Sequence, residues 1–466
     1  MIFGTTALTS SVPSSTRPRP GDEIVVTVDR LTYGGQGIGR AEGLAVFVNG
    51  AAPCETVRAK VRRVFRRHVE ADVAEIVQPS PDRTQPRCQH FSEGCGGCTW
   101  QHVTYPAQLA AKQAAVKDSL ERLGGFRDVP LQPIVPAPDA FYYRNKMEFA
   151  FHPKGTLGLH PREAWYDIIR LRECFLESPL ALAIVKAAQA FVEEKRIPLY
   201  HPRSREGFLR ELCVRHSRGG RETLLGIITG PGTFAEGEAM AKHLAGLDPG
   251  IKAVVRGIRQ TVEGASPLTE TSVLLGDDHI TETTAGLDFD IRLDTFFQTN
   301  SVQAERLVAL VKEFAGDVNG KSVVDVYCGV GLFSLALAAT GASVVGVEIV
   351  ESAVAAAREN ARKNHIASAE FHAGDARKVL AEVLPAGLSP NILVLDPPRA
   401  GAGGKVMRRI ARATPERIVY VSCNPTTLAR DLVELGPFGY KMTAVTPIDL
   451  FPQTYHVETV VALERA

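Results

Sequence analysis

Apolar positions recur along this chain at two periods, and the change of period divides it. Near the start the period is two. Ile24, Val26 and Val28 share one face of a strand over residues 23–28, and residues 45–48 read as a second strand. Residues 57–62 alternate apolar with basic side chains, which puts Arg58, Lys60 and Arg62 on one face. The glycine-rich stretch Gly34-Gly35-Gln36-Gly37-Ile38-Gly39 is a turn rather than a nucleotide loop, because no helical pattern follows it. Several short strands within about 60 residues predict a small β-barrel of the oligonucleotide-binding kind. Further on a helical period appears. Leu109, Val116, Leu120 and Leu123 mark a helix over 106–123, stopped by Gly124-Gly125, and 181–194 is another. From residue 291 strands (322–327, 343–347, 392–395, 418–421, 459–463) alternate with helices (332–339, 352–364), the pattern of a doubly wound α/β sheet. There is no internal repeat.

The expected plan is a tail at 1–20, a barrel at 21–80, a mixed segment at 81–290 and the α/β domain at 291–466. The tail is rich in Ser, Thr and Pro and lacks a basic start followed by an apolar core, so we expect disorder there and no secretory signal. Residues 326–347 carry no charge and are long enough to cross a bilayer. Their glycines, however, punctuate a strand, turn, helix and strand, so no membrane span is expected. With 45% hydrophobic and 23% charged residues, the composition is that of a soluble globular protein. A net charge of +1 identifies no partner, but local clusters do more. No acid stands between Glu55 and Glu70, while Arg58, Lys60, Arg62, Arg63, Arg66, Arg67 and His68 do. The sign suits RNA; a solvated strand face is the alternative. A second basic region at 203–221 is diluted by Glu206 and Glu211.

Residues with chemistry gather at predicted strand ends. Asp325-Val-Tyr-Cys-Gly-Val-Gly331 closes a strand and opens a helix, and Glu348 ends the next strand 23 residues later. Such glycines let a backbone approach a ligand, and an acid at that spacing bonds ribose hydroxyls. Ser334 replaces the third glycine of a dinucleotide loop, and Gly374-Asp375-Ala376 offers an acceptor to an adenine edge. The set favours S-adenosylmethionine over a dinucleotide; glycine turns in an unrelated sheet are the alternative. Asp396-Pro-Pro-Arg399 and Ser422-Cys-Asn-Pro425 follow two more buried strands, at the edge where such sheets bind ligands. Uracil C5 is a poor nucleophile until a thiolate adds at C6; C5 then takes a methyl group and a base removes its proton. Cys423 is the candidate thiol, and His456 and Glu458, on one strand face, are candidate proton acceptors. Amino-group methylation, which Asp-Pro-Pro also serves, would not need Cys423. An RNA-binding iron–sulfur sensor with an inert methyltransferase fold is a second alternative, and a merely buried cysteine the bland one.

Eight cysteines in a chain of this length do not make a secreted disulfide framework. Cys88, Cys95 and Cys98 cluster around a glycine-rich bend, and Cys174 is the nearest later candidate for a fourth ligand. Zinc and a 4Fe-4S cluster both suit four sulfurs, and spacing does not choose between them.

Together these residues resemble the RNA uracil-5-methyltransferases, specifically the iron–sulfur enzymes acting on 23S ribosomal RNA. The motifs are Cys88…Cys95-Gly-Gly-Cys98, Phe296-Phe-Gln-Thr-Asn300, Asp325-Val-Tyr-Cys-Gly329, Asp396-Pro-Pro-Arg399, Ser422-Cys-Asn-Pro425 and His456-Val-Glu-Thr459. The resemblance implies a Rossmann-like S-adenosylmethionine-dependent methyltransferase domain, preceded by an OB-like TRAM barrel and a mixed α+β iron–sulfur domain. It implies Cys423 as nucleophile and Glu458 as base, with Gln298, Tyr327, Glu348, Asp375 and Asp396 around the cofactor. It implies 4Fe-4S rather than zinc on Cys88, Cys95, Cys98 and Cys174. The implied partner is RNA (23S ribosomal RNA favoured, transfer RNA open) in the cytoplasm, bound with the target uridine flipped from its stack. A monomer is expected. Two departures stand out: the first cysteine gap is one residue longer than the pattern, and Leu332 occupies a place where relatives often carry asparagine near the cofactor.

Overall fold

The computed structural model describes residues 17–164, 166–260, 267–383 and 389–465, so most of the expected tail lies outside the described residues. Two compact units are present: one runs to Thr84 and includes His102–Ala107, and the other takes Gln85–Gln101 and everything from Gln108.

In the first unit β1 (Glu23–Leu31), β2 (Gly37–Ala41), β3 (Leu44–Asn49), β4 (Thr56–Val64) and β5 (His68–Gln78) close a barrel in the order β1-β2-β3-β5-β4. The period-two valines fill it: Val26, Val28, Val46, Val48, Val57, Val61 and Val69 are all buried. Gly39 is required where β2 crosses β1, because a Cβ there would lie 2.1 Å from the Thr27 carbonyl oxygen. The basic strand face is less basic in space than in sequence. Arg58 pairs with Glu75 (3.0 Å), Arg62 with Asp72 (3.4 Å) and Arg63 with Glu70 (3.9 Å), acids brought alongside by the β4–β5 pairing. Arg66 and Arg67 stand exposed in the turn between those strands. Beside them Phe65 stacks on His68 at 4.4 Å.

The second unit holds two seven-stranded sheets. The first comprises β6 (Lys146–Phe151), β7 (Leu157–Leu159), β8 (Ile169–Arg170), β9 (Leu209–His216), β10 (Thr223–Thr229), β11 (Ile251–Ile258) and β12 (Glu270–Gly276). Its order is β12-β11-β10-β9-β6-β7-β8. Helix α1 (Tyr105–Asp118) runs on through a wider turn to Leu123, and α2 (Pro179–Lys195) and α3 (Gly237–Ala245) bury Ile184, Ala188, Met240 and Leu244 with this sheet. A hairpin, β13 (His279–Thr284) and β14 (Leu287–Arg292), follows. Asn360 and Asn364 accept its Asp290 and Asp288 N–H groups at 2.8 and 2.9 Å.

The second sheet contains β15 (Ser322–Val326), β16 (Ser343–Glu348), β17 (Ala369–Ala373), β18 (Ile392–Leu395), β19 (Arg417–Ser422), β20 (Tyr440–Ile448) and β21 (Glu458–Arg465). Helices α4 (Ser301–Ala315), α5 (Leu332–Ala338), α6 (Glu351–Lys363), α7 (Ala376–Val383), α8 (Gly404–Arg412) and α9 (Pro425–Val433) accompany it. The order is β17-β16-β15-β18-β19-β21-β20, with β15 to β19 parallel and the last two strands antiparallel. The division expected at residue 290 falls inside β14 and does not separate two bodies. One continuous core joins Cys213, Leu224 and Ala253 of the first sheet to Val323, Val344 and Val419 of the second. Both sheets need that shared layer to bury their apolar faces. Among the described residues no helix is long and apolar enough to cross a membrane.

Candidate active site

The carboxyl ends of the parallel strands open into a cleft of about 780 Å³. Cys423 and Glu458 line it together with Gln298, Tyr327, Glu348, Asp375 and Asp396, so seven residues singled out from sequence meet on one surface. His456 lines it too, although it precedes β21 rather than lying within it. Leu332 does not: it is the first residue of α5 and packs in the core.

The loop after β15 is shaped by backbone constraint. Tyr327 holds a left-handed φ of 69°, which costs a side chain energy that glycine avoids, and Gly329 and Gly331 follow at 54° and 90°. A Cβ on Gly331 would come within 3.2 Å of the Phe371 ring. Glu348 ties down the far side: its carboxylate accepts from the N–H groups of Gly329 (3.1 Å), Ile349 (2.8 Å) and Val350 (3.0 Å). Asp325 is fully buried and accepts from Ser334 Oγ at 2.5 Å; burial raises its carboxyl to about 7. Asp375 is gripped by the Arg377 side chain and by its N–H, which lower its carboxyl to about 2.

The reactive wall is built from three strand ends. Asp396 follows β18 and Cys423 follows β19, parallel neighbours in register at Leu395 and Tyr420. Asn424 joins the two motifs, since its Nδ2 donates to the Arg399 carbonyl (3.1 Å) while its Oδ1 caps α9 at Thr426 N (3.0 Å). Asp431 braces the segment after Arg399 by accepting from Ala402 N (2.7 Å) and Tyr420 OH (2.6 Å). Glu458 opens β21, and the antiparallel pairing of Ser422 with Thr459 returns it to the same edge.

Crowding sets the protonation of this wall. Burial first, then the carboxyl groups of Glu458 and Asp396, push the Cys423 thiol up to about 12, with Arg399 acting against them. Burial and Asp396 raise Glu458 well above the usual carboxyl range, again with Arg399 opposing. Burial, then Asp325, raise Asp396 to about 7. Burial, with Arg399 and Lys112, lowers His456 to about 4.

Two contributors gave little sequence signal. Phe451 lines the cleft with Phe296, 66% exposed, and Arg399, both of which stand in motifs read from the sequence. Behind Phe451 the fully buried Lys112 donates from Nζ to Asp449 Oδ1 (2.6 Å) and to the Phe451 carbonyl (3.0 Å). These partners lie 337 residues apart, beyond any periodicity.

None of the eight cysteines is in a disulfide. Cys88, Cys95, Cys98 and Cys174 line one small cavity with His90, Gln101 and Leu176. The first three are buried; Gln101 accepts from Cys88 N (3.0 Å) and donates to Cys98 Sγ (3.1 Å). Burial and mutual repulsion raise Cys88 to about 11 and Cys98 to about 12. Among the described residues, no group of three or more His, Cys, Asp or Glu side chains is arranged to hold a metal ion.

The fold and this cleft define an S-adenosylmethionine-dependent methyltransferase. Residues 269–466 match the tRNA (Uracil-5-)-methyltransferase family and residues 17–74 match the TRAM domain. The chain is 36% identical to an uncharacterized RNA methyltransferase of Chlorobaculum tepidum, over 97% of this chain and 98% of that one. It is 35% identical to another from Caldanaerobacter subterraneus, over 96% and 99%. Among solved structures it is similar to the tRNA (uracil-54, C5)-methyltransferase of Pyrococcus abyssi in complex with S-adenosyl-L-homocysteine. There the TM-score is 0.74 and the identity 29%, over 94% of this chain and 100% of that one. The chain belongs to the RNA uracil-5-methyltransferase family, with an N-terminal TRAM barrel.

Because the Cys423 thiol is pushed up, little of it is thiolate near neutrality in the RNA-free protein. Its iodoacetamide alkylation, followed by peptide mass spectrometry, is expected to rise about tenfold per pH unit to at least about pH 10. A plateau below about pH 9 would contradict this electrostatic picture.

Proposed function

We propose that the protein methylates C5 of uridine in RNA, with Cys423 adding to uracil C6 and Glu458 removing the C5 proton. The observation that carries this reading is the meeting of one thiol and two carboxyl groups, Cys423, Asp396 and Glu458, on the wall of a single cleft. Amino-group methylation gives the thiol no task.

Gln298, Tyr327, Glu348, Asp375 and Asp396 would hold S-adenosylmethionine, whose sulfonium supplies an electrophilic methyl group. Glu348 keeps lone pairs for ribose hydroxyls beside the three backbone bonds that it accepts, since a carboxylate has about four acceptor sites. The ionised carboxylate of Asp396 takes the thiol proton as Cys423 sulfur bonds to C6, and the ring's electrons pass towards O4 as an enolate. The enolate's electrons would then form the bond from C5 to the methyl carbon as that carbon's bond to the sulfonium breaks, its electron pair staying on sulfur to leave S-adenosylhomocysteine. Glu458 accepts the C5 proton, the S–C6 bond breaks as the 5,6 double bond re-forms, and sulfur regains its proton from Asp396. Glu458 finally releases its proton to solvent. Of the two acceptors read from sequence, Glu458 has its proton affinity raised and His456 has its lowered, so Glu458 is the stronger base.

A 4Fe-4S cluster on Cys88, Cys95, Cys98 and Cys174 completes the reading. Four thiols around one cavity, three of them buried, repel one another as thiolates, and a cationic iron core would relieve that repulsion. The choice of 4Fe-4S over zinc follows the resemblance of the cysteine motif, since four sulfurs suit either. The cluster would tie 88–98 to 174. The segment 81–290 is accordingly proposed as the iron–sulfur part of the second unit, beside the catalytic part at 291–466.

For substrate we propose 23S ribosomal RNA in the cytoplasm, on the resemblance of the cysteine and strand-end motifs. Transfer RNA is the second reading, supported by the likeness to the Pyrococcus abyssi enzyme. Arg66 and Arg67 in the barrel's exposed turn would contact its phosphates.

Glu458→Gln is expected to form the Cys423–uridine bond and methylate C5 yet fail to resolve, leaving a denaturation-resistant adduct with ordinary RNA. Normal turnover by that variant would rule out Glu458 as the base. Anaerobic reconstitution should give about four iron and four sulfide per chain, lost in Cys98→Ser. One equivalent of zinc bound in their place would overturn the cluster assignment.

A further inference from the structure

Between Asp396 and Glu416 the sequence holds no acid, yet it carries Arg399, Lys405, Arg408, Arg409 and Arg412. In a chain of net charge +1 this is a marked local surplus. No step of the proposed reaction uses the last four of these residues.

Helix α8 sorts them by face. Its apolar residues Val406, Met407, Ile410 and Ala411 are all buried, which leaves the basic side chains on the other side, with Lys405 and Arg412 exposed. Lys405 and Arg409 stand four residues apart, as do Arg408 and Arg412. Like charges at that spacing are neighbours on a helix and weaken it. The helix dipole accounts for only part of the pattern. It favours Arg409 and Arg412 in the last turn but opposes Lys405 in the first, where no acid stands. Arg408 meets Glu434 at 2.6 Å, and Arg409 donates to the Arg377 carbonyl at 3.0 Å. The second bond brings the start of α7 alongside, with Arg377 and Lys378 both exposed and again no acid in the first turn.

This basic surface borders the catalytic cleft, since Arg377, Arg399 and Val406 line the cleft and Lys405 adjoins Val406. A strand whose base enters the cleft leaves its phosphates at the mouth. Mutual repulsion among the cations disfavours the free helix and is relieved by a polyanion laid across it. An anionic membrane is a poor match, because every apolar residue of α8 is buried and none is left to enter lipid.

We propose that α8 and the start of α7 bind phosphates of the RNA strand flanking the target uridine, a basic surface additional to the barrel's exposed turn. Lys405, Arg412 and Lys378 act as charges, so the contact reads backbone rather than sequence. It would hold the strand at the cleft while the uridine is extruded. The inference rests on the RNA-methylation reading, and its test is separable from that reading.

The test is the salt dependence of RNA affinity, measured by fluorescence anisotropy with a labelled oligouridylate and the full chain saturated with S-adenosylhomocysteine. Lys405→Gln/Arg412→Gln should weaken binding about tenfold at about 0.15 M salt. It should also lower the slope of log affinity against log salt by about 1.4, two contacts at about 0.7 each. Lys405→Arg/Arg412→Lys, which keeps both charges, should retain affinity and slope. S-adenosylhomocysteine affinity, unchanged in both variants, reports that they are folded. No binding by the wild-type protein, or the same affinity and slope in the glutamine variant, would overturn the surface. So would a loss seen only with phosphatidylglycerol vesicles. Failure of Cys423 to form adducts on RNA would count against the methylation reading alone, because the slope reports phosphate contact without chemistry.

Discussion

The site depends on one pairing, that of β21 against β19. The five parallel strands β15 to β19 all deliver their carboxyl ends to the same edge. A strand that begins at that edge must run the other way, and β21 does, with Thr459 beside Ser422. Its first residue, Glu458, therefore stands next to the residue that follows β19, Cys423. A sixth parallel strand there would have carried its amino end to the opposite edge, away from the thiol. Register matters as much as direction, because a shift by one residue turns Glu458 to the other face of the sheet.

That adjacency has an electrostatic consequence. A thiol and two carboxyl groups confined together cannot all be ionised, so the wall retains protons near neutrality, with Arg399 as the counterweight. Such a wall is suited to passing protons between sulfur, substrate and solvent. The loop between β20 and β21 has to be held still for this, and the buried Lys112–Asp449 pair does so. Gln303 and Asn300 reinforce it through the carbonyls of Asp449 (2.7 Å) and Leu450 (3.1 Å).

The strand ends were readable because local pattern determines them: a buried apolar run, then Asp-Pro-Pro or Ser-Cys-Asn. The barrel was readable from period two, and its valines are the observed core. What depends on long-range pairing was not readable. The acids that flank Arg58, Arg62 and Arg63 come from β5 and are remote in the linear pattern that made the strand look purely basic. The sharing of one core by both sheets of the second unit, and the partnership of Lys112 with Asp449, likewise follow from tertiary packing. Leu332, which stands where relatives often carry an asparagine near the cofactor, packs in the core at the start of α5 and lines no part of the cleft, as expected of a departure that gives up that contact.

The most direct test of the chemistry is to incubate the protein with S-adenosylmethionine and RNA carrying 5-fluorouridine, then to look for a complex that survives denaturation. Fluorine cannot leave C5 as a proton does, so sulfur should stay bonded to C6. The expected result is an adduct formed by the wild-type protein and absent from Cys423→Ala, with the modified peptide containing Cys423. An absence of adduct on both ribosomal and transfer RNA, in folded protein that binds the cofactor, would contradict the covalent mechanism and favour amino-group methylation.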